Sequence, residues 1–494
     1  MVDKSVLIIG GGLGGMSAAI SMAAAGYSVK LFEKNAQLGG KLNQSAIDGF
    51  TFDLGPSILT MPHIFENLFK MHNRKMEDYI KITRLNLEWK CFFEDKTTLE
   101  LYADPEKFVA ENEMLGDSDL ADLKGYLKYA KKLGSLVEAG YFSEGLDNMR
   151  QVLKHYGMIK TLWGFDYFST MADGVERHIN NPYLQHIFNF FIKYVGASPY
   201  NAPAVLNLLS HIQFAYGLWY VPGGLYHIAR GLEKLMQELN VEVNTQCEVV
   251  KIVTEGAAAK GIVLVSGRRI DGDVVISNME VIPAYKNLLP AGSLPPDYDD
   301  KFEPACSGYV LHLGLNRKYE QLGHHNFFFS RDTKGHFRSV FDEYKLPEDP
   351  TIYLVATSRT DAAQAPEGCE NIKILPHIPH LGRGGFTESE YRLLRQRVLD
   401  KLERMGLTNL REHIIVEDEW YPEDIQSRYY SNMGSIYGVV SDRKKNKGFK
   451  APKKSERFAN LYFVGGSVNP GGGMPMVVLS GQQVKDLVVK ENNK

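Results

Sequence analysis

Apolar positions change their spacing several times along this 494-residue chain, and each change predicts an element boundary. Val6 to Ile9 form a short apolar run, Gly14 to Ala25 suits a helix, and Val29 to Glu33 is strand-like again, so the chain predicts a βαβ opening. From Asp117 to about Leu209 the period becomes helical, with Leu123, Tyr126, Leu127, Ala130, Leu133 and Leu136 on one stripe. Within it, Ile187 to Gly196 is apolar on almost every side, which suits a deeply buried helix or one touching something greasy. Strand character returns at Val241 to Val243, Val249 to Val253, Gly261 to Val265 and Asp273 to Ile276. A mixed region follows from about Leu294 to His413, with strands across Ser307 to Leu315 and Asn371 to Pro379 and a polar helix near Glu388 to Arg404. The last strand, Leu461 to Val464, runs into a glycine-rich turn and a closing helix that starts near Met474 or Pro475.

This order predicts an α/β protein: a Rossmann-type cofactor domain with an inserted α+β substrate-binding domain. The cofactor domain is read as three stretches, 1–110, 216–293 and 414–494. The insertion is read as a helical part, 111–215, that faces substrate or membrane, and a second part, 294–413.

Candidate chemistry enters at the first turn. Gly10, Gly12 and Gly15 form GxGxxG directly after a predicted strand, with Gly14 in the same turn. Gly10 permits the tight turn, Gly12 lets backbone approach a pyrophosphate, and Gly15 lets the helix lie against the strand with its N-terminus toward the phosphates. Glu33 closes the second strand, where a carboxylate accepts hydrogen bonds from an adenosine ribose and repels a ribose phosphate, which disfavours NADP. Downstream, QLGGKL (Gln37 to Leu42) offers a second close backbone approach at Gly39 and Gly40 and a cation at Lys41, followed by FDLGPSIL (Phe52 to Leu59). A second phosphate contact implies a long cofactor, and no second GxGxxG follows a strand to make a nicotinamide site.

Composition narrows the classes. Hydrophobic residues make up 44% and charged residues 23%, and a formal charge of -3 gives no general pull toward nucleic acid. The four cysteines are far apart with no CxxC pair, which points to a reducing, cytoplasmic setting. No run of about 18 apolar residues is present to span a bilayer. His324 and His325 are adjacent, so on a strand they face opposite ways, and prolines separate His377 from His380; no metal site is expected. One charge run is notable: DRKKNKGFKAPKK (Asp442 to Lys454) carries seven Lys or Arg against one acid. It is read either as a contact with anionic lipid or as a solvated loop.

Several segments carry a resemblance that covers essentially the whole chain. GLWYVPGGLYHIARGLEKL (Gly217 to Leu235), DVVISNMEVIPAY (Asp273 to Tyr285), HHNFFFS (His324 to Ser330), APEGCENIKILPHIP (Ala365 to Pro379) and NPGGGMPMVVLSG (Asn469 to Gly481) resemble the bacterial carotenoid desaturases and oxidases, phytoene desaturase-like members of the flavin amine oxidase superfamily. That family usually carries arginine where Lys41 stands; lysine keeps the charge and loses the bidentate fork. The resemblance implies FAD, with contacts at Gly10, Gly12, Gly14, Gly15, Glu33, Gly39, Gly40 and Lys41. Further contacts are implied at Gly55, Pro56, Ser57, Val250 and Asn278, and at Gly465, Gly466, Gly473, Met474 and Pro475. It also implies an acyclic carotenoid drawn from the membrane through a hydrophobic tunnel, molecular oxygen or a membrane electron acceptor, and a peripheral position on the inner face of the cell membrane.

Desaturases of the family commonly carry histidine before proline in the terminal motif, whereas this chain has Asn469. The wording SVNPGGGMPM resembles members that oxidise a terminal methyl of thirty-carbon carotenoids to an aldehyde. A desaturase acting on chain methylenes and a noncatalytic flavin-bound carotenoid carrier stand as alternatives. An amide orients a group but cannot change protonation near neutral pH as imidazole can. Asn469 is therefore the candidate catalytic residue, expected beside the flavin ring and helping to set oxidation against desaturation; the alternative is a turn residue that holds Pro470.

Overall fold

The opening βαβ forms where the spacing predicts it: strand Ser5–Ile9, helix Leu13–Ala24 and strand Ser28–Phe32. The computed structural model describes residues 4–492. Both strands lie in a five-stranded parallel sheet, Ser5–Ile9 at its centre between Ser28–Phe32 and Val274–Ser277. Glu242–Asn244 and Leu461–Phe463 form its edges. Parallel pairing requires crossovers that cover both faces, and the strands are accordingly apolar: Val6, Leu7, Ile8, Val275 and Ile276 are all fully buried.

The closing helix, Met474–Asn492, lies along Leu13–Ala24. Ser17 Oγ donates to Val478 O at 2.6 Å, and a Cβ on Gly481 would stand 2.6 Å from Ala18 N. The absence of a side chain there is what lets two helices from opposite ends of the chain touch.

A second, mostly antiparallel sheet runs in the order Ile414–Trp420, Val310–Leu315, Glu370–Ile378, Ile352–Val355, His325–Phe328, Trp89–Phe92, Thr98–Leu101. Its membership differs from the predicted layout at two boundaries. Trp89–Phe92 and Thr98–Leu101 fall in the stretch 1–110 read as cofactor domain, yet Asn326, Phe327 and Phe328 pair with Lys90, Cys91 and Phe92. Ile414–Trp420, placed after residue 413, likewise pairs with Val310–Leu315. Short alternating segments carry no mark of which distant sheet they will join, since pairing is a non-local event.

The helical insertion comprises Asp117–Val137, Met149–Ile159, Met171–His178, Pro182–Phe190 and Leu208–Tyr216. Ile187, Phe188, Phe190, Phe191 and Ile192 are core, no more than 2% exposed, and Phe191 meets Trp89 with ring centroids 4.4 Å apart. Among the described residues no helix is long and apolar enough to cross a membrane.

Candidate functional site

The glycine turns converge at the carboxyl ends of the parallel strands, the edge where open α/β sheets bind ligands. Gly10, at φ +93°, donates its N–H to Phe32 O at 2.8 Å and turns the chain into the first helix. A Cβ on Gly15 would lie 2.0 Å from Gly10 O, so only glycine lets that helix begin so close to its strand. Gly39 N donates to Gly11 O at 2.8 Å, and a Cβ on Gly40 would be 3.0 Å from Gly12 Cα. The two glycine pairs therefore lie against each other.

Asn278, which follows strand Val274–Ser277, is the hub. A Cβ on Gly12 would meet its Oδ1 at 2.6 Å, and Cβ atoms on Gly14 and Gly465 would meet its Nδ2 at 2.9 and 2.7 Å. Asn278 Nδ2 donates to Val464 O at 3.2 Å. Four segments from positions 12, 40, 278 and 465 thus converge, with glycine backbone packed around the Asn278 amide. An extended, phosphate-bearing cofactor requires glycine backbone of this kind, so the residues present fit FAD.

The remaining residues expected at the cofactor lie on several other segments. Glu33 is 5% exposed; one carboxylate oxygen accepts Gly11 N–H at 2.7 Å and the other accepts Asn35 N–H and Nδ2 at 2.8 Å, which leaves lone pairs for a ribose. Lys41 is paired with Glu280 at 3.1 Å and donates to Ser435 O at 2.9 Å, so its charge is shared with a carboxylate. A Cβ on Gly55 would be 1.7 Å from Lys41 O, and Ser57 Oγ accepts from Lys373 at 3.2 Å. Val250, on strand Val249–Glu255, is 41% exposed. Gly465 N–H donates to Ser480 Oγ at 2.9 Å, and a Cβ on Gly466 would lie 3.2 Å from Tyr437 O. Gly473, at φ +96°, leads into Met474 and Pro475 at the start of the closing helix.

Lys373 was not legible in the sequence. It projects from the second sheet, and its buried Nζ donates to Asp53 O at 2.9 Å, to Gly55 O and to Ser57 Oγ, clamping the FDLGPS segment against the substrate sheet. Burial lowers its pKa to about 8, with the Asp53 carboxylate partly restoring it. Asp53 in turn accepts the Leu225 and Tyr226 N–H groups.

Gly473, Met474 and Pro475 also line an apolar cavity of about 210 Å³. Leu136, Val152, Leu209, Ile212, Phe142 and Leu218 supply its greasy walls. Tyr194 and Gln213 lie at its wall as well, the tyrosine donating to Gln213 Oε1 at 2.6 Å. Behind them Glu88, pushed up to about 7 by burial, lies alongside the Gln213 amide, though Gln213 Nε2 and Glu88 Oε2 reach no hydrogen bond of normal geometry. The cavity shares Tyr156 with an exposed apolar patch of Met158 (68% exposed), Ile159 (79%) and Trp163 (73%).

Asn469 is not on the cavity wall. It is 1% exposed, its Oδ1 accepts Tyr141 O–H at 2.5 Å and Lys450 N–H at 2.9 Å, and its Nδ2 donates to Lys450 O at 3.1 Å and Asp147 O at 3.2 Å. Its hydrogen-bonding capacity joins the helical insertion to the 450 segment, with none left over for a reacting group.

The basic run is likewise different from a uniform cationic face. Lys450 and Lys453 are buried, Lys453 against Asp147; Lys445 pairs with Glu303 and Lys454 with Glu491. Arg443 and Lys447 line the cavity, and Lys444 is exposed. The linear count of charge says nothing about which lysines the fold turns inward. Among the described residues no cluster of three or more His, Cys, Asp or Glu could hold a metal ion.

A glycine-built dinucleotide site at the carboxyl edge of a parallel sheet, with an apolar cavity lined by Gly472 to Met476 of the same terminal motif, marks a flavin oxidoreductase. The chain belongs to the flavin-containing amine oxidoreductase family, whose sequence profile matches residues 13–372. It is an FAD-dependent enzyme. It is 55% identical over 490 residues to the 4,4'-diapolycopene oxygenase of Methylomonas sp, covering 99% of both chains. It is 52% identical over 488 residues to the 4,4'-diaponeurosporene oxygenase of Staphylococcus aureus, covering 99% of this chain and 98% of that one. Among solved structures, cyclohexylamine oxidase from Brevibacterium oxydans matches with a TM-score of 0.63 at 15% identity over 100% of both chains. Putrescine oxidase bound to putrescine matches at 0.62 and 12% identity over 99% of both. At such identities these two share the fold alone.

Proposed function

We propose that the protein oxidises a terminal methyl group of an acyclic thirty-carbon carotenoid, diaponeurosporene or diapolycopene, to the aldehyde in carotenoid biosynthesis. The observation that carries this reading is the apolar cavity lined by Gly473, Met474 and Pro475, together with the names of relatives matched over nearly the whole chain. Bound flavin supplies a two-electron acceptor. The chain supplies the rest: aliphatic walls that exclude water and align a polyene end-on, and backbone that holds the cofactor rigidly beside them. The aldehyde oxygen comes from molecular oxygen or from water, and oxygen or a membrane electron acceptor takes the electrons onward.

The substrate enters from lipid. Met158, Ile159 and Trp163 form an exposed apolar face beside Lys132 and Lys160, with Arg443 and Lys447 on the cavity wall. This mixture of large apolar side chains, an indole and cations suits the headgroup boundary of an anionic leaflet. The protein is thus read as peripheral, on the inner face of the cell membrane.

Incubation of the FAD-loaded protein with diaponeurosporene under air and under nitrogen, with products identified by mass, tests the reaction. The expected product is the terminal aldehyde. A hydrocarbon that has lost hydrogen without gaining oxygen would mark a desaturase, and stoichiometric pigment binding without turnover would mark a carrier.

A further inference from the structure

Oxidation of a carbon that bears a hydroxyl releases a proton, and an apolar cavity offers few groups to receive it. Two lysines line it: Lys447, which is exposed, and Lys450, which is buried. Lys450 is 3% exposed and lines the cavity beside Gly472 and Gly473. Its stem passes Gly471, where a Cβ would lie 3.1 Å from Lys450 Cε. Its Nζ donates to Val439 O at 2.5 Å and to Ser441 Oγ at 2.7 Å. A neutral amine keeps both of these bonds and has its lone pair left over.

Among the described residues no carboxylate pairs with this lysine. Asp147 is held by Lys453, Glu303 is held by Lys445, Tyr344 and His380, and Asp442 accepts the N–H groups of Lys444 and Lys445. Among the described residues, the other titratable groups that line its cavity are Arg443 and Lys447, two more cations, and the tyrosines Tyr141, Tyr156, Tyr167 and Tyr194. Burial lowers the Lys450 pKa to about 7, so near neutral pH the amine exists in both forms.

Ser441 gives the site a second side. Besides lining the apolar cavity, it lines a separate cavity of about 230 Å³ that mixes apolar side chains with the polar Glu303, Asp342, Tyr344, His380 and Lys445. The Lys450–Ser441 contact therefore joins the greasy space where substrate lies to one that holds charged side chains.

We propose that Lys450 accepts the hydroxyl proton of a terminal hydroxymethyl group as that group becomes the aldehyde, and passes it through Ser441 to the second cavity. The inference rests on the proposed function. In this step the carbon–oxygen single bond becomes double: the carbon-bound hydrogen leaves with its electron pair to the flavin acceptor the family supplies, and the oxygen-bound hydrogen leaves as a proton to the amine. Lys450 then returns to its neutral form by giving a proton to Ser441 Oγ, whose own proton moves on into the second cavity.

The test uses the FAD-loaded protein with a thirty-carbon polyene bearing a terminal hydroxymethyl group, following a single turnover to the aldehyde from about pH 6 to about pH 9. The wild-type rate rises through about pH 7 and levels off. Lys450→Met retains FAD and polyene absorption, loses about 100-fold or more in the plateau rate, and has no rise through that region. Ser441→Ala keeps the midpoint and slows the plateau. A readout independent of turnover is competitive acetylation by acetic anhydride, read by peptide mass: Lys450 reaches half-maximal reactivity near pH 7, and exposed lysines well above it.

A flat wild-type profile, an acetylation midpoint in the ordinary lysine range, or a Lys450→Met variant with unchanged rate and profile overturns the proposal. If that variant fails to load FAD, the wild-type profile and the acetylation midpoint decide alone. A protein that leaves terminal methyl groups untouched refutes the functional reading instead, while the acetylation midpoint still reports on Lys450.

Discussion

Replacing Asn469 by leucine separates a structural role from a chemical one. The side chains are similar in size, but leucine removes every partner of the amide. Lys450 N–H, Lys450 O and Asp147 O lose their hydrogen bonds in a buried setting, while Tyr141 O–H can turn toward the cavity it lines. Three orphaned groups at about 1 to 2 kcal/mol each give a loss of about 3 to 6 kcal/mol. Unfolding entropy of about 2.1 cal/mol/K per residue over 494 residues comes to about 1 kcal/mol/K, so the unfolding temperature should fall by about 3 to 6 °C. Release of FAD fluorescence on heating measures this, with product analysis on the same preparation. Asn469→Asp is the control: it keeps the acceptor for Lys450 N–H but sets a carboxylate oxygen against the carbonyls of Lys450 and Asp147, and should fall at least as far. In both variants the surviving activity should still yield aldehyde. A release temperature within about 1 °C of wild type, coupled to a switch from aldehyde to desaturated hydrocarbon, would refute the reasoning and put the amide at the reacting carbon.

Four further outcomes are expected. Lys373→Met leaves Asp53 O, Gly55 O and Ser57 Oγ without their cation, and should weaken FAD retention by about 2 kcal/mol or more, read by flavin titration of the apoprotein. Gly481→Val sets a side chain 2.6 Å from Ala18 N in the neighbouring helix, so little FAD-loaded protein should be recovered, whereas Val265→Ala on the exposed surface should be neutral. Ile159→Ser combined with Trp163→Ser should cost about 3 kcal/mol of vesicle binding, checked by flotation with anionic liposomes; undiminished binding removes this patch from membrane docking. The Lys450 pKa is depressed from 10.5 to about 7, so the unfolded chain binds more protons between those values and stability rises with pH across the window. From pH 7 to pH 9 wild type should gain about 2 kcal/mol relative to Lys450→Met, measured by denaturant midpoints at both pH values.

Local chemistry was legible from the residues alone. The turn Gly10 to Gly15 needs glycine for reasons confined to one strand and one helix, and the carboxylate at Glu33 ends the adjacent strand, so spacing suffices to read them. The polar helix Glu388–Arg404 was marked by its own capping residues, Thr387 and Glu390, and formed at its expected bounds.

What lay beyond the sequence is whatever depends on contact between distant segments. Nothing near Trp89 states that it will pair beside Phe327, and nothing in DRKKNKGFKAPKK distinguishes Lys450 and Lys453, which the fold buries, from Lys444 and Lys447, which it leaves at the surface. The Asn469 amide invited a chemical role by its position in a motif. Its partners, Tyr141 and Asp147, come from more than three hundred residues away and take up that amide before any substrate could. The sequence determined the cofactor, because a phosphate cradle is made of neighbouring backbone. Tertiary structure decided which side chains face the cavity, because burial and pairing belong to the assembled chain.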